Sequence, residues 1–230
     1  MVPTLFDFNG VLVDDEAVHL EAFREVLKPL GVAIDDAAYA ERYLGFDDAG
    51  AFRAILTDAG HTPTDDDVKR LIDAKKPVYM ERIGDQLVVF DGAVDLVRRR
   101  AKHGLVGIVS GALRHEIEHA LKVMGVRDDI AFIVSAEDTT ECKPDPQGYT
   151  LGSRKLQELL PKGETIRNLF AIEDSIAGIE SAKSALLMCA AVTHSYPADK
   201  LYAAGASVVV DRLADLTDEA LGTYAGADSR

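Results

Sequence analysis

The sequence predicts an α/β fold: a Rossmann-like, mostly parallel sheet covered by helices, with an all-helical block inserted after the first strand. Three observations carry that expectation. Short apolar runs alternate with helical patterns from about residue 90 to the end, the rhythm of strand–helix–strand crossovers that lay strands parallel. No strand pattern appears between residue 15 and Leu87. The apolar runs also end on Asp, Ser or Glu-Asp, residue types that carry chemistry at the carboxyl rim of such a sheet.

The first strand runs through Leu5-Phe6 and delivers Asp7-Phe8-Asn9-Gly10-Val11. The insertion opens with Val18, Ala22, Phe23, Val26, Leu27 and Leu30 at helical spacing, closed by Gly31. Asp35, Asp36 and Thr64 are residues that cap a helix start by accepting from a backbone N–H. Pro77 is expected to kink or break the last inserted helix, because it removes a backbone donor. After 87–90 the expected strands are 105–110, 131–135, 169–173, 187–193 and 207–210. Helical patterns at 93–101, 113–124 and 149–160 lie between them, with Gly104, Gly125 and Gly163 as stop signals. The small, polar end at 222–230 is expected to fray. The domain reading is therefore 1–14 with 89–230 for the α/β core, and 15–88 for a helical cap. Such a cap is expected to act as a lid above the rim, excluding water and selecting substrates.

Composition narrows the class. The net charge of −14 leaves no basic stripe to displace counterions, which argues against nucleic acid as a partner. No apolar run approaches membrane-span length, and the start lacks the basic and cleavable features of a leader, so no membrane partner and a cytoplasmic location are expected. Two cysteines, Cys142 and Cys189, form no framework and no zinc spacing.

Asp7 is the candidate nucleophile: a carboxylate can attack phosphorus and split one hard step into two easier ones. Glu173-Asp174, at the end of a later strand, makes with Asp7 a hard-oxygen site suited to Mg²⁺. Lys143, in Cys142-Lys143-Pro144-Asp145-Pro146, is a point charge able to steady both the nucleophile and phosphoryl oxygens. Ser110 and Gly111 end another strand, where a hydroxyl and backbone N–H groups can hold phosphate. Each residue alone has a plainer reading, as a cap or a solvated charge; the case rests on all four segments occurring in order.

In order and spacing, Leu5-Phe6-Asp7-Phe8-Asn9-Gly10-Val11, Ile108-Val109-Ser110-Gly111, Cys142-Lys143-Pro144-Asp145 and Ala171-Ile172-Glu173-Asp174-Ser175 resemble the signature motifs of the haloacid dehalogenase superfamily. The Glu173 to Ile179 stretch and the helical insertion are similar to the subgroup containing phosphoglycolate phosphatases and β-phosphoglucomutases. The resemblance implies a Mg²⁺ cofactor bound by Asp7 and Asp174, with the backbone carbonyl of Asn9 as a third ligand and Glu173 beside it. It implies as substrate a small phosphorylated metabolite such as a sugar phosphate. His19, Lys75, Lys76 and Arg114 are candidates for holding a substrate's distal groups. The loop Gly45-Phe46-Asp47-Asp48 falls where the subgroup selects substrates, and it carries no positive charge.

One residue departs from the pattern. The family's phosphatases carry a second Asp, an acid and then a base, where this chain has Asn9. An amide cannot trade protons near neutral pH. Three readings stay open: a natural variant whose proton comes from Asp15, Glu16 or His19; an introduced change that traps a complex; or a protein that binds phosphate esters without turnover. The Asn9-Gly10 step also invites deamidation, which would restore an aspartate. The reading adopted is a Mg²⁺-dependent phosphotransferase, with hydrolysis of a phosphate monoester first and a phosphosugar mutase as the alternative. Halide removal is disfavoured because it has no use for the Glu173-Asp174 site. The chain is open to being monomer or dimer.

Overall fold

The computed structural model describes residues 2–44, 46–160, 166 and 169–221, with nothing taken from the side chains of residues 85 and 86. The expectations on Gly45, Gly163 and 222–230 lie outside the described residues. In chain order the first elements are β1 (Thr4–Phe6), β2 (Val13–Asp14), α1 (Glu16–Leu27), α2 (Asp36–Arg42), α3 (Asp48–Asp58), α4 (Asp65–Gln86) and β3 (Val88–Val89). There follow α5 (Ala93–His103), β4 (Val106–Val109), α6 (Arg114–Val123), β5 (Phe132–Val134), α7 (Gln147–Leu159), β6 (Phe170–Glu173), α8 (Ile176–Ser184), β7 (Met188–Val192), α9 (Ala198–Ala204) and β8 (Val208–Val210). The chain divides into two compact units, Met1–Val13 with Val89–Arg230, and Asp14–Val88.

The larger unit is built on a six-stranded parallel sheet in the order β5-β4-β1-β6-β7-β8. Its strands are short and apolar because both faces are covered. Leu5, Ala171, Cys189 and Ala191 share one core cluster with Tyr149 and Leu156 of α7, Ile179 and Ala182 of α8 and Leu201 of α9. Register fixes the rim. Phe6 lies level with Ile108 on one side and Ile172 on the other. The next residues, Asp7, Val109 and Glu173, therefore emerge together, and Ser110 and Asp174 follow one step later. Backbone bonds from Asp7 N to Ile172 O (2.9 Å) and from Ser110 N to Val134 O (3.0 Å) extend the ladders to that edge. The chain reverses its direction of travel across the sheet beside β1, which makes this edge the crevice where open α/β sheets bind ligands.

The smaller unit is helical. Leu20, Phe23 and Leu27 of α1 bury against Phe52, Ile55 and Leu56 of α3 and Val68 of α4. Asp35 caps α2 by accepting from Ala38 N at 2.7 Å, and Thr64 with Asp67 forms a reciprocal box at the start of α4. Two expectations need correction. Pro77 does not break the last helix: α4 runs unbroken through it from Asp65 to Gln86. Residue 77 has no N–H to give the carbonyl of Asp73, but Tyr79 and Ile83 beyond it are buried with Val18 and Ala22 of α1, so packing carries the helix past the gap. Leu30 does not continue the apolar stripe; a 3₁₀ turn over Lys28–Leu30 rotates it outward, and it is 48% exposed.

Among the described residues other than glycine, one has a left-handed backbone. Leu186, between α8 and β7, has φ of +63° and is 95% exposed. It occupies a left-handed helix-ending position that costs a residue with a Cβ about 1 kcal/mol, and its side chain recovers nothing by burial. Leu186→Gly is expected to raise stability by about 0.5–1 kcal/mol, read as a melting temperature about 1–4 °C higher. An unchanged or lower value would mean that the leucine is held by contacts that its exposure conceals.

Candidate active site

Asp7 stands just past β1, 8% exposed, and its Oδ1 receives the Lys143 ammonium at 2.9 Å. Lys143 also reaches Glu173 Oε1 at 2.6 Å, so one cation ties the first strand end to the β6 end. Asp7, Glu173 and Asp174 converge closely enough to share a metal ion, and all three are buried. Three carboxylates thus face one ammonium. Burial pushes the Asp7 carboxyl up to about 7, against the pull of Lys143 and helped by Glu173. Burial, then Glu173 and Asp7, hold Asp174 well above the usual carboxylate range. Burial works against the Lys143 charge too, but Asp7 and Glu173 overcome it and raise it. The cluster therefore lacks positive charge, and its all-oxygen donors suit a hard divalent cation.

Glu173 is more fully engaged than its motif implies. Its Oε1 accepts from Lys143 and, at 2.7 Å, from the Tyr149 hydroxyl. Its Oε2 accepts from the backbone of Asp174 (3.2 Å) and from the Ser175 hydroxyl (3.1 Å). Asp174 accepts from the Ser195 hydroxyl and is otherwise turned toward Gly10. Gly10 has φ of +75°, and a Cβ on it would lie 2.1 Å from Asp174 Oδ2, so only glycine lets the first loop pass this carboxylate. Gly178 plays the same part for Glu173, where a Cβ would fall 2.0 Å from the carboxyl carbon.

The Asn9 amide oxygen receives the Ser110 hydroxyl at 3.3 Å, and Ser110 Oγ accepts from Ala112 N at 3.1 Å. The Ser110 hydroxyl thus meets the Asp7 loop at the rim, and Gly111 beside it is exposed. Gly10 N donates to Val13 O at 2.9 Å, which occupies the nitrogen that deamidation of Asn9 would need as attacking group.

The remaining sequence candidates each have partners within their own unit. Arg114 directs its guanidinium to Asp138 and to the Ile133 carbonyl (3.3 Å). Lys75 is buried inside the helical unit, where it bonds Asp48 and His19 Nδ1 (2.7 Å) and sits 4.3 Å over the Phe23 ring. His19 also lies 3.2 Å from Asp15 and stacks by Tyr79. Lys76 pairs with Asp73 at 2.9 Å.

Sequence reading missed Tyr149, Ser195 and His194. His194 Nδ1 meets the Gly10 carbonyl at 2.7 Å, and its ring stacks on Phe90 at 3.8 Å. A signal existed for two of them: Thr193-His194-Ser195 follows an apolar strand, as Asp7 and Ser110 do. Tyr149 gave none, since a tyrosine in an amphipathic helix reads as core.

A family model described as haloacid dehalogenase-like hydrolase matches residues 4–185. Validoxylamine A 7'-phosphate phosphatase of Streptomyces hygroscopicus subsp. limoneus is 28% identical over 218 residues, covering 93% of each chain. Hexitol phosphatase B of Escherichia coli is 27% identical over 186 residues, 80% of each. Among solved structures, beta-phosphoglucomutase from Clostridium difficile superposes with a TM-score of 0.84 at 22% identity, covering 98% of this chain and 97% of that one, a likeness of fold.

Proposed function

The chain belongs to the haloacid dehalogenase-like hydrolase family and is an enzyme of its phosphatase and phosphotransferase type, and from that premise we propose that it hydrolyses a small phosphate monoester, such as a sugar or polyol phosphate, through an aspartyl-phosphate on Asp7. One observation carries the reading: a buried Asp7, oriented by Lys143, shares a cation-deficient pocket with Asp174 and Glu173. Two of the phosphatases to which the chain is similar act, by their names, on a phosphorylated validoxylamine and on hexitol phosphates, and both lend support to a polyhydroxylated substrate.

Lys143 fixes the Asp7 carboxylate through Oδ1 and so aims it. An Asp7 oxygen forms the new bond to phosphorus while the ester oxygen leaves as the alcohol, taking a proton from solvent. Water then attacks the same phosphorus, the bond to Asp7 breaks, and inorganic phosphate departs. Lys143, the Ser110 hydroxyl and the Gly111 N–H hold the phosphoryl oxygens as charge gathers on them. Asp7, Asp174 and the carbonyl of Asn9 would hold Mg²⁺, with Glu173 anchoring Lys143 beside it. When bound, the cation screens the phosphate from the attacking carboxylate.

The test is a panel of phosphate monoesters with Mg²⁺, combined with mass analysis of the Asp7 peptide after rapid acid quench. Phosphate release and a phosphoryl adduct on Asp7 are the expected results; release without any adduct, and equally in Asp7→Asn, would overturn the reading. Ser195→Ala removes the hydroxyl that orients Asp174 and is expected to weaken Mg²⁺ affinity by about 10–100-fold. Titration of Mg²⁺ against thermal stability measures this, and an unaltered midpoint would deny Ser195 that role.

A further inference from the structure

Away from the rim, α6 carries His115-Glu116-Ile117-Glu118-His119. Imidazoles four residues apart lie one turn above each other on a helix face, the spacing with which helices chelate zinc. Here the pattern is stripped of its hydrolytic part. Glu116 is 3% exposed, and its Oε2 accepts from Leu113 N at 2.9 Å, closing the helix start. The two histidines instead line an open surface recess of about 540 Å³, together with Arg114, Glu118, Lys122 and Glu137. Among the described residues His119 Nε2, shielded from solvent, has no hydrogen-bond partner holding it in place, and a half-turn about χ2 carries that nitrogen to the opposite edge of the ring plane.

The carboxylates beside the histidines differ in availability. Glu118 gives both oxygens to Arg127, at 2.6 and 3.0 Å. Among the described residues Glu137 accepts only the Arg114 backbone N–H, at 3.0 and 3.3 Å, a contact it can exchange. Among the described residues, only Asp7, Glu173 and Asp174 already converge at metal-holding distance, so the recess needs side-chain adjustment before it closes on an ion. Imidazole donors favour zinc, nickel and copper, whereas Mg²⁺ favours the all-oxygen cluster. The geometry points to a second cation site on the outer face of α6, taking a borderline divalent metal through His115 and His119, with Glu137 and water completing the shell. The site is independent of the phosphotransferase reading.

Isothermal titration of the full chain with Zn²⁺, and separately Ni²⁺, in excess Mg²⁺ tests this. One equivalent is expected to bind the wild type and Asp174→Asn alike, and His119→Ala or His115→Ala to weaken binding by about tenfold or more, as one of two imidazole ligands is gone. His119→Gln, which preserves bulk and polarity, guards against misfolding and is expected to lose binding equally, with an unchanged melting temperature. Electron paramagnetic resonance of the Cu²⁺ form is expected to carry nitrogen hyperfine structure that His119→Gln diminishes. Absent binding at millimolar metal, binding that survives both histidine variants, or binding lost in Asp174→Asn would each overturn the proposal, the last by assigning the ion to the acidic cluster.

Discussion

Asn9→Asp is expected to raise turnover of a phosphate monoester by about two to four powers of ten, the usual worth of a positioned acid–base group. The two side chains are nearly identical in shape, and the backbone carbonyl of residue 9 is untouched, so binding of substrate and cation should change little. A carboxyl at this position can protonate the departing alcohol and then take a proton from the attacking water. The asparagine can do neither; its amide oxygen receives the Ser110 hydroxyl. The gain should therefore fall on kcat, with both formation and breakdown of the Asp7 adduct faster under rapid quench. The substitution also adds a carboxyl two residues from the buried Asp7, so the variant should be less stable than the parent in chelator. Intact mass must accompany the parent's rate, since a trace of deamidated Asn9 would mimic slow turnover. Equal rates for parent and variant would assign proton transfer to another group and remove the reason for regarding Asn9 as a handicap.

The fold was legible because its signals are local. Parallel strands buried on both faces read as short apolar runs, and the residue after each run falls on the functional rim by register alone, which is how Asp7, Ser110 and Glu173 announce themselves. What escaped depends on partners distant in sequence. Tyr149 matters because its hydroxyl meets Glu173, 24 residues on; Lys75 reads as a surface lysine until Asp48, His19 and Phe23 enclose it. Pro77 illustrates the converse: of the kink or break expected there, the break is prevented by packing on either side of it. The two-residue strand β2 offers too little pattern to read at all. Glu173 lies between these cases: its motif predicts a place beside the metal, yet only the coordinates reveal how many donors already occupy it.

Asp174→Asn is expected to abolish metal-dependent activity and, in chelator, to make the protein more stable. Asp174 is 4% exposed; the Ser195 hydroxyl and the more weakly felt Lys143 charge favour its carboxylate, but burial and the carboxylates of Glu173 and Asp7 outweigh them. Without a cation, folding must suppress the ionisation that this carboxyl has in the unfolded chain at neutral pH, and removing the group should recover about 1–3 kcal/mol. For a chain of this size that corresponds to a melting temperature higher by roughly 2–10 °C. Mg²⁺ should then reverse the ranking: the parent gains stability as the ion binds, while the variant, lacking a ligand, gains little. Asparagine keeps the shape and can still accept from Ser195, so the change isolates charge from packing. If the variant melted below the parent in chelator, the three carboxylates would be adequately satisfied by Lys143, Tyr149 and Ser195 alone. The cluster would then owe its arrangement to those donors, and the case for a cation as the missing partner would lose its physical basis.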